Sequence, residues 1–178
     1  MAPPQARTNA EARLYLELTP CGRCAEPDAE FHAAVLDLDG VQVTRYTARC
    51  PRCGAERVYD FQLPDRPLPP PPADEGVRFG GAEPSRLLDP GVWLWYADDR
   101  AALVRADTDP ATARLLLATA VAALDEVLKF LPPGADAVPE ATFASAEGHY
   151  VRSRAPGRFT GASLAAERER LLAARERR

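Results

Sequence analysis

The apolar positions follow two rhythms, and the change between them divides the chain. Arg13-Leu14-Tyr15-Leu16-Glu17-Leu18 alternates at period two, the pattern of a half-buried strand. Residues 31–38 and 41–49 are two further runs. Between them lies Asp39-Gly40, a pair that suits a type I′ turn because both central positions need positive φ. A fourth run, residues 57–63, places Tyr59, Phe61 and Leu63 on one face. The sequence therefore predicts a small antiparallel sheet over residues 11–63, behind a disordered leader at residues 1–10.

Residues 64–76 end that rhythm. Pro64, Pro67 and the run Pro69-Pro70-Pro71-Pro72 can neither donate to a ladder nor continue a helix. Six such residues would reach about 19 Å as polyproline II, so the segment reads as a semi-rigid spacer. A docking motif for a proline-reading domain is the alternative.

Period 3.6 takes over in residues 77–178. Asp89-Pro90 pairs a capping acceptor with proline at the first helical position and predicts a helix over 90–104. Asp109-Pro110 repeats the signal for a longer helix to about residue 131. There Leu117, Val121, Leu124, Val127, Leu128 and Leu131 form one apolar stripe, stopped by Pro132-Pro133-Gly134. A short helix from Pro139 and a last one over 163–177 complete the set. The predicted class is α+β: a small antiparallel sheet, a proline-rich spacer, and three to four helices.

The four cysteines change this picture most. Cys21-Gly22-Arg23-Cys24 is followed, after twenty-five residues, by Cys50-Pro51-Arg52-Cys53-Gly54. Two residues between paired cysteines let the chain turn tightly enough for both thiolates to reach one ion, and four soft ligands suit tetrahedral Zn2+. The gap exceeds the roughly 15–20 residues of the commonest spacing, an excess that a hairpin of two long strands accounts for. Over residues 13–63 the pattern resembles the zinc-ribbon family. The resemblance implies a structural zinc held by Cys21, Cys24, Cys50 and Cys53 on two knuckles. Ala25 departs from it, standing where a glycine often follows. The rivals are a thioredoxin-like redox pair, which needs a βαβ setting, and an iron–sulfur or mononuclear iron site. A set of four cysteines leaves no open position for catalysis at the metal.

Charge weighs against a large polyanion surface. The 178 residues carry a formal net charge of −4, and residues 1–63 hold seven basic and nine acidic side chains. Arg45, Arg49 and Tyr46, with Arg23 and Arg52 beside the knuckles, make at most a small patch for nucleic acid. Residues 64–151 hold seven basic against fourteen acidic side chains. Residues 152–178 reverse this, with eight arginines and three glutamates. Arg152, Arg154 and Arg158, ahead of the last helix, are candidate contacts for a polyanion; a helix resting on the acidic middle region is the plainer reading.

Trp93, Trp95 and Tyr96 are the densest aromatic cluster. On a helix they spread over more than half the circumference, so at least one tryptophan is expected to be partly exposed and available as an interface anchor. Asp98-Asp99 with Asp89 reads as solvated acid rather than a metal or acid–base site. The two histidines, His32 and His149, have no supporting constellation: Ser145, Glu147 and His149 lie together without a nucleophile elbow.

No secretory or membrane-spanning pattern is present, and every cysteine belongs to a metal-type pair, so the expected location is the cytoplasm. Abundant alanine and a single lysine, Lys129, match the codon bias of a GC-rich, bacterial type of genome. The expected role is non-enzymatic: a zinc-containing protein–protein interaction module, such as an adaptor or an immunity-type inhibitor. A nucleic-acid-associated regulator using the ribbon and the arginine tail is the first alternative. An enzyme with a helical pocket around Trp93, Trp95 and Asp98 is the second.

Overall fold

A computed structural model describes residues 2–64, 66, 68–69, 71–72 and 76–178. The chain divides into two compact units, Met1–Pro69 and Pro70–Arg178. The division falls inside the proline-rich segment, of which Asp65, Pro67, Pro70, Ala73, Asp74 and Glu75 lie outside the described residues. The elements mix a three-stranded antiparallel sheet with five α-helices, an α+β architecture.

The first unit opens with a helix, α1 (Asn9–Leu18), where period two predicts a strand. Two features override the alternation. Asn9–Leu18 contains no β-branched residue and is rich in the helix formers Ala, Glu, Arg and Leu. Thr8 and Glu11 also form a box at its start: the Thr8 hydroxyl accepts from the Glu11 N–H at 3.1 Å, while the Glu11 carboxylate accepts from the Arg7 N–H at 2.7 Å. The exposed residues Arg13 and Glu17 are four apart, so they share a helical face as readily as they alternate along a strand.

Three strands follow: β1 (His32–Leu38), β2 (Val41–Arg49) and β3 (Glu56–Gln62), in the spatial order β1-β2-β3. The β1–β2 register runs unbroken from His32 opposite Thr47 to Leu38 opposite Val41. Asp39 and Gly40 take φ of 54° and 82°, as the predicted type I′ turn requires. An aromatic layer joins α1 to the sheet: Tyr15 meets Phe61 at 5.6 Å and Tyr59 at 6.4 Å, edge to face, and Tyr46 meets Phe61 at 5.8 Å. The segment ahead of α1 lies along β3, where the Gln62 N–H donates to Pro4 at 2.9 Å and Gln5 bridges to Gln62 in parallel.

The second unit is built on α3 (Pro110–Leu128). Its buried Ala113, Leu117, Ala120, Val121, Leu124 and Val127 include most of the predicted stripe. α2 (Pro90–Ala102) and α5 (Gly161–Glu176) pack on α3, and α4 (Ala146–Arg154) packs on α2. The expected short helix after Pro139 is a single 3-10 turn, Glu140–Thr142. α4 has no apolar periodicity to announce it. Asp89 holds it in place. One oxygen of that buried carboxylate accepts from the N–H groups of Gly91 (2.9 Å) and Val92 (3.1 Å), capping α2. The other accepts from the Ser145 hydroxyl (2.6 Å) and N–H (2.8 Å) and from the Ala144 N–H (3.2 Å). Ser145 in turn caps α4 through the Gly148 N–H at 2.9 Å. The crossing is so close that a Cβ on Gly148 would lie 2.0 Å from the Asp89 carboxylate, and one on Gly91 2.4 Å from the Gly148 carbonyl.

Candidate metal centre

The two C-x-x-C loops of the first unit have the same backbone. In the first, the Cys21 N–H donates to Glu26 at 2.8 Å and the Ala25 N–H donates back to Cys21 at 2.8 Å. In the second, the Cys50 N–H donates to Ala55 at 2.8 Å and the Gly54 N–H donates to Cys50 at 2.9 Å. The residue after each second cysteine is left-handed: φ is 57° at Ala25 and 70° at Gly54. Glycine is at ease there, whereas a Cβ carries a cost of about 1–2 kcal/mol. The alanine that breaks the sequence pattern thus keeps the loop's shape at an energetic cost. The loop at Cys50 to Cys53 joins β2 to β3, and the loop at Cys21 to Cys24 lies between α1 and β1.

All four Sγ atoms lie within 4.8 Å of one another. Across the loops, Cys21 is 3.7 Å from Cys53 and Cys24 is 3.6 Å from Cys50. A tetrahedron of sulfurs about 2.3 Å from a central ion has edges of about 3.8 Å, so these separations can hold one metal. They are far beyond the ~2.05 Å of a disulfide, and all four cysteines are free thiols. Cys21 and Cys50 are buried, Cys24 and Cys53 half-buried.

The electrostatics ask for a cation. The N–H groups of Arg23 and Cys24 point at the Cys21 sulfur and bring its pKa down to about 6 against the effect of burial. Cys50 is also lowered: burial opposes this, but the N–H groups of Cys53 and Arg52 and the neighbouring thiols outweigh it. At Cys24 the Glu26 N–H favours the thiolate, yet burial and the sulfurs of Cys53, Cys50 and Cys21 push it up to about 12. Four thiolates so close repel one another unless a positive ion sits among them.

Arg57 was not foreseen in the sequence and positions the first loop. It is buried on β3, its guanidinium lying 4.8 Å from the Phe31 ring centroid and 6.0 Å from that of Tyr59. It donates to the carbonyls of Thr19, of Leu16 at 3.5 Å and of Pro27 at 3.5 Å. These carbonyls flank Cys21 and Cys24 on both sides, so one cation ties the end of α1 to the loop. An isolated arginine on a predicted strand gives no hint of this.

The other candidates are placed as follows. Tyr46 is buried and its hydroxyl donates to Asn9 at 2.5 Å. Arg45 forms a two-pronged pair with Asp60, at 2.7 Å for each contact. Of the small basic patch, Arg23, Arg49 and Arg52 are the exposed members. His32 is exposed at the start of β1.

In the second unit the aromatic trio is not one face. Trp93 is fully buried against Phe79 at 4.9 Å, Tyr96 is buried, and Trp95 is 46% exposed. Arg152 lies over the Phe143 ring at 4.8 Å, and Arg158 pairs with Asp98 at 2.5 and 2.8 Å. Arg154 is exposed near the end of α4. Arg168 pairs with Asp125 at 2.6 Å, so the basic tail is a helix resting on acidic neighbours. His149 is exposed on α4, its ring 6.4 Å from that of Phe143. The 360 Å³ cleft beside α5 is lined by Leu94, Arg158, Ser163 and Arg170 among others, and by neither tryptophan nor His149. No helix among the described residues is long and apolar enough to cross a membrane.

Comparison of the chain with protein-family models, with curated proteins and with solved structures returns no match. The reading of the site therefore rests on its geometry, which is compatible with a zinc ribbon.

Proposed function

We propose that this chain is a non-enzymatic protein-interaction module, of the adaptor or inhibitor kind, whose first unit is a zinc ribbon. Zn2+ is the ion that an all-thiolate tetrahedral set favours, with iron as the rival. The sheet's antiparallel order gives no βαβ setting for a redox pair. Four cysteine ligands fill the coordination sphere, which makes the ion structural. A reducing cytoplasm suits four thiols kept for a metal. Elemental analysis of the purified protein tests the ion: one zinc per chain is expected, and one iron with visible absorption would refute it.

The interaction reading is carried by one observation, the bare edge of β1. Ala33, Ala34 and Val35 are exposed on this outer strand, with Val35 63% exposed. Its residues His32–Leu38 include no lysine, arginine or proline, and its register has no bulge. Those are among the devices by which soluble proteins blunt an open edge; β1 has only the charge of Asp37 beside its turn, which leaves the rest of the strand a template for another strand. The test is a photo-crosslinking residue at position 35, activated in the host and followed by nuclease. A discrete protein adduct that survives nuclease is expected. Retention that vanishes with nuclease would move the assignment to nucleic acid and the exposed Arg23, Arg49 and Arg52.

A further inference from the structure

Among the described residues, Glu11, Arg57, Asp89 and Glu126 are the buried charges. Glu11 is held by Arg7 at 2.6 Å and Glu126 by Lys129 at 2.5 Å. Asp89 accepts from the N–H groups of Gly91, Val92, Ala144 and Ser145 and from the Ser145 hydroxyl. Arg57 differs. It is 4% exposed, its Nε–H has no partner, and among the described residues no carboxylate pairs with it. Its contacts are the carbonyls of Leu16, Thr19 and Pro27 and the rings of Phe31 and Tyr59. Neutral acceptors and ring faces offset only part of the cost of taking a cation out of water. A charge left over in this way points to an opposite charge that the polypeptide itself does not carry.

The metal centre supplies one. Zn2+ among four thiolates is a dianion. Arg57 stands at the root of both cysteine loops. It donates to Thr19, two residues before Cys21, and to Pro27, three residues after Cys24. Across the sheet its backbone pairs with Ala48, two residues before Cys50. Two residues of chain span at most about 7 Å, so a short reach separates each of these anchors from a ligand. Arg23, Arg49 and Arg52 also lie beside the loops, but they are exposed and their charges are screened by salt. The charge of Arg57 is shielded from water and acts at low dielectric.

We infer that Arg57 is the counter-charge of the metal centre, an inference that rests on the zinc-ribbon reading. Its guanidinium offsets part of the dianion's charge, so it holds the ion by electrostatics as well as by the shape of the first loop. A cation beside the thiolates also lowers their basicity, and with it their attack on electrophiles. Arg57 is a positioning residue that keeps a structural zinc centre inert.

The test is alkylation of the full zinc-loaded chain by iodoacetamide, a neutral reagent, at saturating zinc. A thiolate sulfur displaces iodide, forming a thioether and an iodide ion, and mass spectrometry follows the product. Arg57→Gln removes the charge, whereas Arg57→Lys keeps it and gives up the planar fork. Arg57→Gln is expected to react about three- to tenfold faster than wild type, and Arg57→Lys at close to the wild-type rate. Equal rates in the two variants, or an Arg57→Gln chain as slow as wild type, overturn the inference. Wild type supplies a second measurement that does not depend on the variants folding. Its rate should hold constant from ~0.01 to ~1 M salt, while the screening length falls from about 30 to 3 Å. A rate that climbs with salt gives the protection to Arg23 and Arg52 and overturns the inference. A chain that binds iron instead overturns the zinc reading alone. The counter-charge then shows as a lower reduction potential in Arg57→Gln than in Arg57→Lys, and equal potentials overturn it. A chain that binds no metal overturns both.

Discussion

The two units reach stability by different routes. In the first, a three-stranded sheet and a single helix enclose a thin aromatic layer, and the loops are pinned at four sulfurs and one arginine. In the second, α3 supplies a continuous apolar stripe covered by α2 and α5, and a single buried carboxylate fixes the one helix that has no stripe. A small sheet cannot bury enough apolar surface to fold on that account alone, so the proposed ion would do the work of a core. The helical unit has its core, and its polar hub decides arrangement rather than collapse. The same contrast separates their vulnerabilities: ligand chemistry in one, steric fit in the other.

The sharpest way to break the contrast is to remove the ion. Cys50→Ser, or a strong chelator, is expected to unfold the first unit, since structural zinc contributes on the order of 10 kcal/mol to folding. Protease digestion should then degrade residues before the proline-rich segment and spare the helical fragment. A wild-type digestion pattern would refute the metal-dependent half of the comparison.

Steric fit governs the second unit. Gly148→Ala places a methyl group on the Asp89 carboxylate and is expected to cost about 3 kcal/mol, seen as a lowered urea midpoint of the helical transition. Metal content should not change.

Arg57→Met removes the cation behind the first loop. Partners that orient a ligand loop typically carry about 10–100-fold of metal affinity, and competition with a chromophoric chelator should show a loss of that size. The two knuckles differ at one backbone position, and Ala25→Gly should equalise them. Relief of the left-handed alanine is expected to raise the first unit's stability by about 1 kcal/mol in a thermal melt of the metal-bound protein.

The smallest effect is electrostatic. Arg45 holds the Asp60 carboxyl below the usual range, against a modest effect of burial. A carboxyl with a depressed folded pKa contributes stability above its unfolded value, near 4, and loses it as pH falls through the folded value. The pair is partly exposed, so the contribution is on the order of 0.5 kcal/mol. Asp60→Asn should lower stability at neutral pH by that amount and converge with wild type in acid, with both compared at saturating metal.

How much of this was legible beforehand depends on whether the information was local. The spacing of Cys21, Cys24, Cys50 and Cys53 named the four cysteines that the fold brings together, because two residues between paired thiols is a constraint of the loop itself. The Asp39-Gly40 turn and the caps Asp89 and Asp109 were equally readable, since each acts within a few residues of its own position. The stripe from Leu117 to Val127 carried α3. α1 was misread as a strand although its signals were local too: the box of Thr8 and Glu11 and the missing β-branched residues outweigh six positions of alternation.

What the sequence could not state is which distant groups meet. Asp89 reaches across fifty-five and fifty-six residues to Ala144 and Ser145, so α4 exists where it does because of a carboxylate on another helix. Arg57 reads as a polar strand residue until Phe31, Tyr59 and three carbonyls close around it. The burial of Trp93 against Phe79, beside an exposed Trp95, follows from tertiary packing, and the place of β1 at the sheet's edge follows from strand order. Local chemistry determined the two cysteine loops, the turns and the caps, because those interactions close within a few residues. Tertiary structure decided the polar hubs, the buried tryptophan and the open edge, because burial and pairing are properties of neighbours that the chain brings together only when it folds.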